Sequence, residues 1–180
     1  MKKFIKNKFL AEAVEWILTA AGMVIVFYVC QNFVFRSAYV SGPSMEPTLH
    51  HGERLILLKL PLLFGNAKRN DIVAFPYKDN PSQHFIKRVI GLPGDVIDIQ
   101  NRMLTINGAE LSDEFTTGQL LAVGDVMFPL TVPAGCYFVM GDNRDQSNDS
   151  RYVGVGCIAK KDMMGVAVIR FWPFDKFGKL

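Results

Sequence analysis

Twenty consecutive residues, Trp16 to Phe35, carry only Thr19, Gln31 and Asn32 as strongly polar interruptions. No other feature restricts the folding of this chain so much. As a helix, such a run is about 30 Å long, the thickness of a bilayer's hydrocarbon core. Glu12 and Glu15 precede it, at an edge where carboxylates reach water. The lysine-rich start, with Lys2, Lys3, Lys6 and Lys8, also fits a cleaved export signal. The length of the span and the poor small-x-small match at Ser37-Ala38-Tyr39 favour a retained anchor instead. Four lysines before the span and one arginine, Arg36, after it put the N-terminus in the cytoplasm. The expected organisation is a basic cytoplasmic segment, 1–15, a single transmembrane anchor, 16–35, and one domain, 36–180, on the outer face of the cell membrane.

The formal net charge of +3 over 180 residues belongs to the N-terminal end. Residues 1–36 hold five cations against two acids, and the remainder holds fifteen of each. That remainder, about 144 residues, is long enough to bury a proper core. Its neutrality leaves no electrostatic footprint for nucleic acid, so none is expected as a partner. There are three cysteines, with no metal-ligand spacing among them. Cys30 lies inside the span as a small apolar residue. Cys136 and Cys157 read as structural thiols, with pairing in an oxidising compartment left open.

Beyond the anchor the signals are those of strands. Glu53–Lys59, Asp71–Tyr77, His84–Gly91 and Asp95–Gln100 are short apolar runs bounded by Gly, Pro, Asn or Asp. Met103–Ile106 precedes Asn107-Gly108, a strong hairpin turn signal. Cys136–Met140 and Met164–Phe171 are further runs, and residues 109–130 read as a loop-rich insertion. No long segment here keeps a helical period. The fold class expected is mainly β, with antiparallel sheets or a partly closed barrel behind one N-terminal transmembrane helix.

Ser44 lies in the turn Ser41-Gly42-Pro43-Ser44-Met45-Glu46-Pro47-Thr48-Leu49, nine residues past the span. Even fully extended, that tether reaches only about 30 Å. A serine held against a bilayer suggests chemistry on something emerging from it. Its hydroxyl needs a base. His50 and His51 sit at a turn, where histidines are mostly solvated, and His84 begins an apolar strand. Lys87 lies within that strand, sharing a face with Phe85 and Val89, while Arg88 shares the other with Ile86 and Ile90. Burial there would favour a neutral amine, able to act as a base. The bland alternative is a lysine snorkelling at a sheet edge. The run from Gly141 to Arg151 has oxygen ligands spaced somewhat like a calcium loop. Counted from Asp145, however, Ser150 and Gly156 stand where glycine and glutamate are required. A polar loop pinned by its own hydrogen bonds and an Asp–Arg ion pair is expected.

Taken together, these segments resemble the bacterial type I signal peptidases, the Ser-Lys membrane proteases also called leader peptidases. The resemblance runs over nearly the whole chain. It rests on Glu15-Trp16, Gly42-Pro43-Ser44-Met45-Glu46-Pro47-Thr48-Leu49, Asp71 to Phe75, Lys87 to Asp95, and Gly141 to Arg151. It implies Ser44 as nucleophile and Lys87 as general base, with Ser147 orienting the lysine amine. Asp149 and Arg151 match the pair bracing the loop, and Asp142 another acid of it. Met45, Val40, Leu49, Phe85, Ile86 and Ala74 match positions around shallow pockets for small P1 and P3 side chains, hence an Ala-x-Ala preference. Gly42 stands where some members carry a serine that helps hold the oxyanion, which leaves the second oxyanion donor open. Asn70 stands where glycine usually precedes the Asp71 strand, and asparagine tolerates the left-handed conformation. The resemblance further implies a monomer without cofactor or metal. Its partners would be the lipid bilayer and preprotein signal peptides emerging from the secretion channel. A binding domain without activity, a Ser-Lys protease that cuts only itself and a histidine-based zinc hydrolase are the rival readings.

Overall fold

The computed structural model describes residues 2–29, 34–111, 115–116, 120 and 122–180. Cys30 and the polar pair Gln31 and Asn32 lie outside them. Helix α1, Lys2–Val29, contains a stretch from Lys8 to Tyr28 long and apolar enough to cross a membrane. Trp16, Leu18, Val24, Ile25 and Phe27 point outward around it with no protein against them. Such an all-round apolar surface suits lipid. Phe35, the last residue of the apolar run, is not helical. It opens β1, Phe35–Tyr39, and pairs with Leu58 of β2, Arg54–Leu58. Hydropathy alone cannot separate the end of an apolar helix from an apolar strand that follows it.

The remaining elements are β3 (Ile72–Tyr77), β4 (Asn80–Gly91), β5 (Val96–Gln100), β6 (Met103–Ile106) and β7 (Ala109–Glu110). They continue with β8 (Leu130–Thr131), β9 (Cys136–Met140), β10 (Ile158–Ala159), β11 (Gly165–Trp172) and β12 (Gly178–Lys179). A five-residue helix α2, Leu60–Phe64, follows β2. The larger sheet runs β1-β2-β11-β3-β4-β9-β10, with β12 beside β11, and the smaller runs β7-β6-β5-β8. Every pairing is antiparallel, as expected from the sequence. The larger sheet stays open between its end strands β1 and β10. Asn107-Gly108 does form the turn joining β6 to β7, and Asn70 does take the left-handed conformation, with φ of 73°.

Strand alternation sorts the core into compartments. In β9, Tyr137 and Val139 pack with Val73, Phe75 and Val89, while Phe138 and Met140 pack with Ile90, Ile97 and Ile106 of the smaller sheet. In β3, Ile72 and Ala74 face a third cluster with Val40, Met45, Leu49, Leu55 and Ile86. Strands β3 and β9 and the second half of β4, from Ile86 on, are therefore covered on both faces, and anything polar there needs a partner. Cys136 and Cys157 are partly buried free thiols, and burial raises the Cys157 thiol to about 11. Trp172 and Phe174 stand exposed in edge-to-face contact, 4.8 Å between ring centres.

Candidate active site

The turn carrying Ser44 is built from its own backbone. Glu46 N–H donates to Pro43 O at 3.0 Å, and Leu49 N–H to Met45 O at 2.8 Å. Met45 and Leu49 plug this turn into the third core cluster. Its far end is held by Glu53, buried and paired with Arg170 at 3.1 Å, and Arg170 also donates to the Thr48 carbonyl at 3.3 Å. Ser44 is thus presented on a short turn fastened at both ends.

Lys87 reaches it from β4. Its Nζ lies 2.7 Å from Ser44 Oγ, hydrogen-bonded, and the lysine is 3% exposed. The Phe85 ring centre lies 5.2 Å from the same nitrogen. Burial lowers the amine from an ordinary 10.5 to about 8, against the pull of the Asp149 and Asp142 carboxylates; Arg151 adds a smaller downward push. A substantial fraction of such amines is neutral at mildly alkaline pH and can take the hydroxyl proton.

The loop after β9 closes the site from the other side. Ser44 O accepts a hydrogen bond from Asn143 N–H at 3.1 Å. Gly141 sits at this crossing, where a Cβ would strike both the Ser44 carbonyl oxygen and the Ser147 side chain, so only glycine fits. Asp149 takes Arg151 Nε at 2.8 Å and Nη2 at 2.9 Å, the local ion pair expected, and it also accepts from Gly141 N–H at 3.1 Å. Arg151 is completely buried and donates to the carbonyls of Ala122 and Arg144, each at 2.6 Å. Ser147 Oγ is buried without a hydrogen-bond partner among the described residues, so in this structure it does not hold the lysine amine.

Asp142 has a partner that the sequence reading missed. It forms a two-pronged bond with Arg88, Nε to Oδ1 at 2.8 Å and Nη2 to Oδ2 at 2.6 Å, and accepts from Thr48 Oγ1 at 2.6 Å. Arg88 also donates to Asn70 O at 2.9 Å, and its guanidinium stacks 3.9 Å from the Phe115 ring of the insertion. Two buried cations side by side, Lys87 and Arg88, were the available signal. An arginine on a doubly covered strand requires a carboxylate.

A cleft of about 450 Å³ opens beside Ser44. Val40, Gly42, Met45, Ala74, Phe85 and Ile86 line it, and so do His84, Asn148 and Met164. Leu49 does not reach it and lies in the core behind. Gly42 has φ of +87°, and its N–H donates to His51 Nδ1 at 3.3 Å, so that donor is already engaged. His50 pairs with Glu46 at 3.6 Å, and neither of these two histidines lines the cleft.

The family described as "Signal peptidase, peptidase S26" matches residues 13–172. Signal peptidase I of Bacillus licheniformis is 40% identical over 172 residues, covering 92% of this chain and 91% of that protein. Signal peptidase I S of Bacillus subtilis (strain 168) is 35% identical, covering 92% of each. The crystal structure of a signal peptidase I from Enterococcus faecalis V583 is 37% identical, covering 56% of this chain and 96% of that one, with a TM-score of 0.46.

Proposed function

This chain belongs to the peptidase S26 family of signal peptidases, serine enzymes that remove signal peptides, and we propose that it does so through a Ser44–Lys87 dyad. The observation that supports the dyad is the buried 2.7 Å pair. The extended segment of a preprotein around its cleavage site lies in the cleft, pairing with strand edges. Small side chains enter the shallow P1 and P3 recesses formed by Val40, Met45, Ala74, Phe85 and Ile86, giving an Ala-x-Ala preference. Neutral Lys87 takes the Ser44 proton as Oγ attacks the P1 carbonyl. The oxyanion is stabilised by the Ser44 N–H. Lys87 then gives its proton to the leaving amine, the acyl-enzyme forms, and water admitted by the same base hydrolyses it. Ser147 supplies a hydroxyl for the amine once it carries a proton, and Asp142, Asp149 and Arg151 hold the loop in place. No cofactor takes part.

In this reading α1 is a single membrane anchor with its N-terminus in the cytoplasm, and the β domain works as a monomer on the outer face. The anchor confines enzyme and signal peptide to one plane, which raises their effective concentration. Preproteins reach it as they leave the secretion channel. The test is cleavage of a preprotein bearing an Ala-x-Ala site, in detergent with lipid. Wild type should cut after the P1 alanine, and Ser44→Ala and Lys87→Ala should both be inert while folded. Cutting by folded Lys87→Ala would remove lysine as the base.

A further inference from the structure

A second concavity of about 850 Å³ lies at the anchor end of the domain. Its cationic lining is Arg36, Lys59, Lys160 and Lys161, against one lining carboxylate, Asp162. Beside it, α2 turns apolar side chains to solvent: Leu63 is 59% exposed and Phe64 87%. Burial, and after it the Arg36 charge, pushes the Lys59 ammonium below its ordinary value. The lining thus carries four basic side chains and one acidic one.

The position of this groove is constrained by the chain. Arg36 is seven residues beyond Val29, the last residue of α1, a tether of about 25 Å at most. Lys59 N–H donates to Val34 O at 2.9 Å, so the start of α2 is fastened to the segment leaving the anchor. A basic groove beside an exposed Phe and Leu, tethered within reach of a bilayer, has the two ingredients of interfacial binding: cations for phosphate and apolar side chains for the acyl boundary.

We propose that this groove binds the phosphodiester headgroups of anionic phospholipids, with Leu63 and Phe64 of α2 entering the lipid beside it. The inference rests on the membrane-anchored reading given above. Its consequence for the reaction is geometric. Arg36 lines the groove, while Ser37 and Ala38, next along β1, line the cleft. Headgroup binding therefore sets the height of the cleft above the membrane surface.

The experiment is hydrogen–deuterium exchange of the full chain reconstituted in two kinds of vesicle, phosphatidylcholine alone and phosphatidylcholine with phosphatidylglycerol. Amides of residues 59–64 should exchange more slowly in the second, and concentrated salt should abolish the difference. K160Q/K161Q should lower the preference for the anionic surface roughly thirtyfold, and the slowing should vanish with it. F64S should reduce the slowing without altering any charge. Preprotein cleavage in detergent reports that both variants are folded. Equal exchange in the two vesicles, or slowing retained in K160Q/K161Q, overturns the proposal while leaving the anchor intact. Release of the chain by alkaline carbonate would overturn the anchored reading itself, and this one with it.

Discussion

The two faces of β4 at Lys87 and Arg88 treat a buried cation in opposite ways. Arg88 meets a carboxylate, a threonine hydroxyl and a backbone carbonyl, which tie β4 to the turn after Ser44. Lys87, at 3% exposure much like Arg88 at 4%, meets a serine hydroxyl and an aromatic ring instead. Its charge is uncompensated at close range, and the amine falls to about 8. Burial dominates at Lys87, where the pull of the Asp149 and Asp142 carboxylates does not cancel it. The two sites differ in whether a carboxylate stands within hydrogen-bond distance, and the strand's alternation delivers one cation to each environment.

The comparison breaks most severely at Asp142. Asp142→Ala leaves Arg88 charged, buried and without its carboxylate, and should cost about 3–5 kcal/mol in denaturant unfolding, with cleavage lost as the Ser44 turn loosens. A loss under about 1 kcal/mol would show that the backbone partners of Arg88 suffice. The opposite sign is expected on the other face. Lys87→Met removes a group whose protonated form is penalised in the folded protein. The folded value of about 8 lies below the ordinary 10.5, so the penalty is full below pH 8 and is relieved as pH rises from 8 to 10.5. The variant should therefore be stabler than wild type by about 3 kcal/mol at neutral pH, with the gain fading across that window. Thermal unfolding at neutral pH and above pH 10.5 checks it, and an equal gain at both would trace the effect to packing.

Smaller effects sharpen the contrast. Wild-type kcat/KM should rise about tenfold from pH 7 to pH 9 as the amine loses its proton. A profile flat over that range would mean that the base is already neutral at pH 7. Ser147→Ala should lower kcat by less than about tenfold, since a hydroxyl without a partner contributes only once the amine is charged. A shift of the pH–rate limb in this variant, with KM unchanged, would distinguish an effect on the amine from a merely structural one.

The parts of this arrangement legible in the sequence are the local ones. Strand runs such as Val96–Gln100 and the Asn107-Gly108 turn are written in neighbouring residues, and so is the Asp149–Arg151 pair, two positions apart. The Ser44 and Lys87 motifs were readable because each is a short string carrying a family resemblance. Strand β1 was hidden because it prolongs an apolar run, and β10 because two residues carry no period. The Arg88–Asp142 pair joins residues 54 apart, and Arg170–Glu53 residues 117 apart. Neither has a local signature, since each depends on which strands lie side by side. Leu49 was assigned to the cleft although its place in the turn, four residues after Met45 and bonded back to it, carries it inward.

The hydrogen bond from Asn143 to the Ser44 carbonyl, and that from Thr48 to Asp142, set a timetable as well as a geometry. Ser44 is made early, in the first quarter of the chain, yet its turn is braced by residues that leave the ribosome nearly a hundred positions later. A growing chain that has not passed Asp142 carries the serine without its clamp. The proposed dyad therefore stays unbraced until most of the protein has been synthesised.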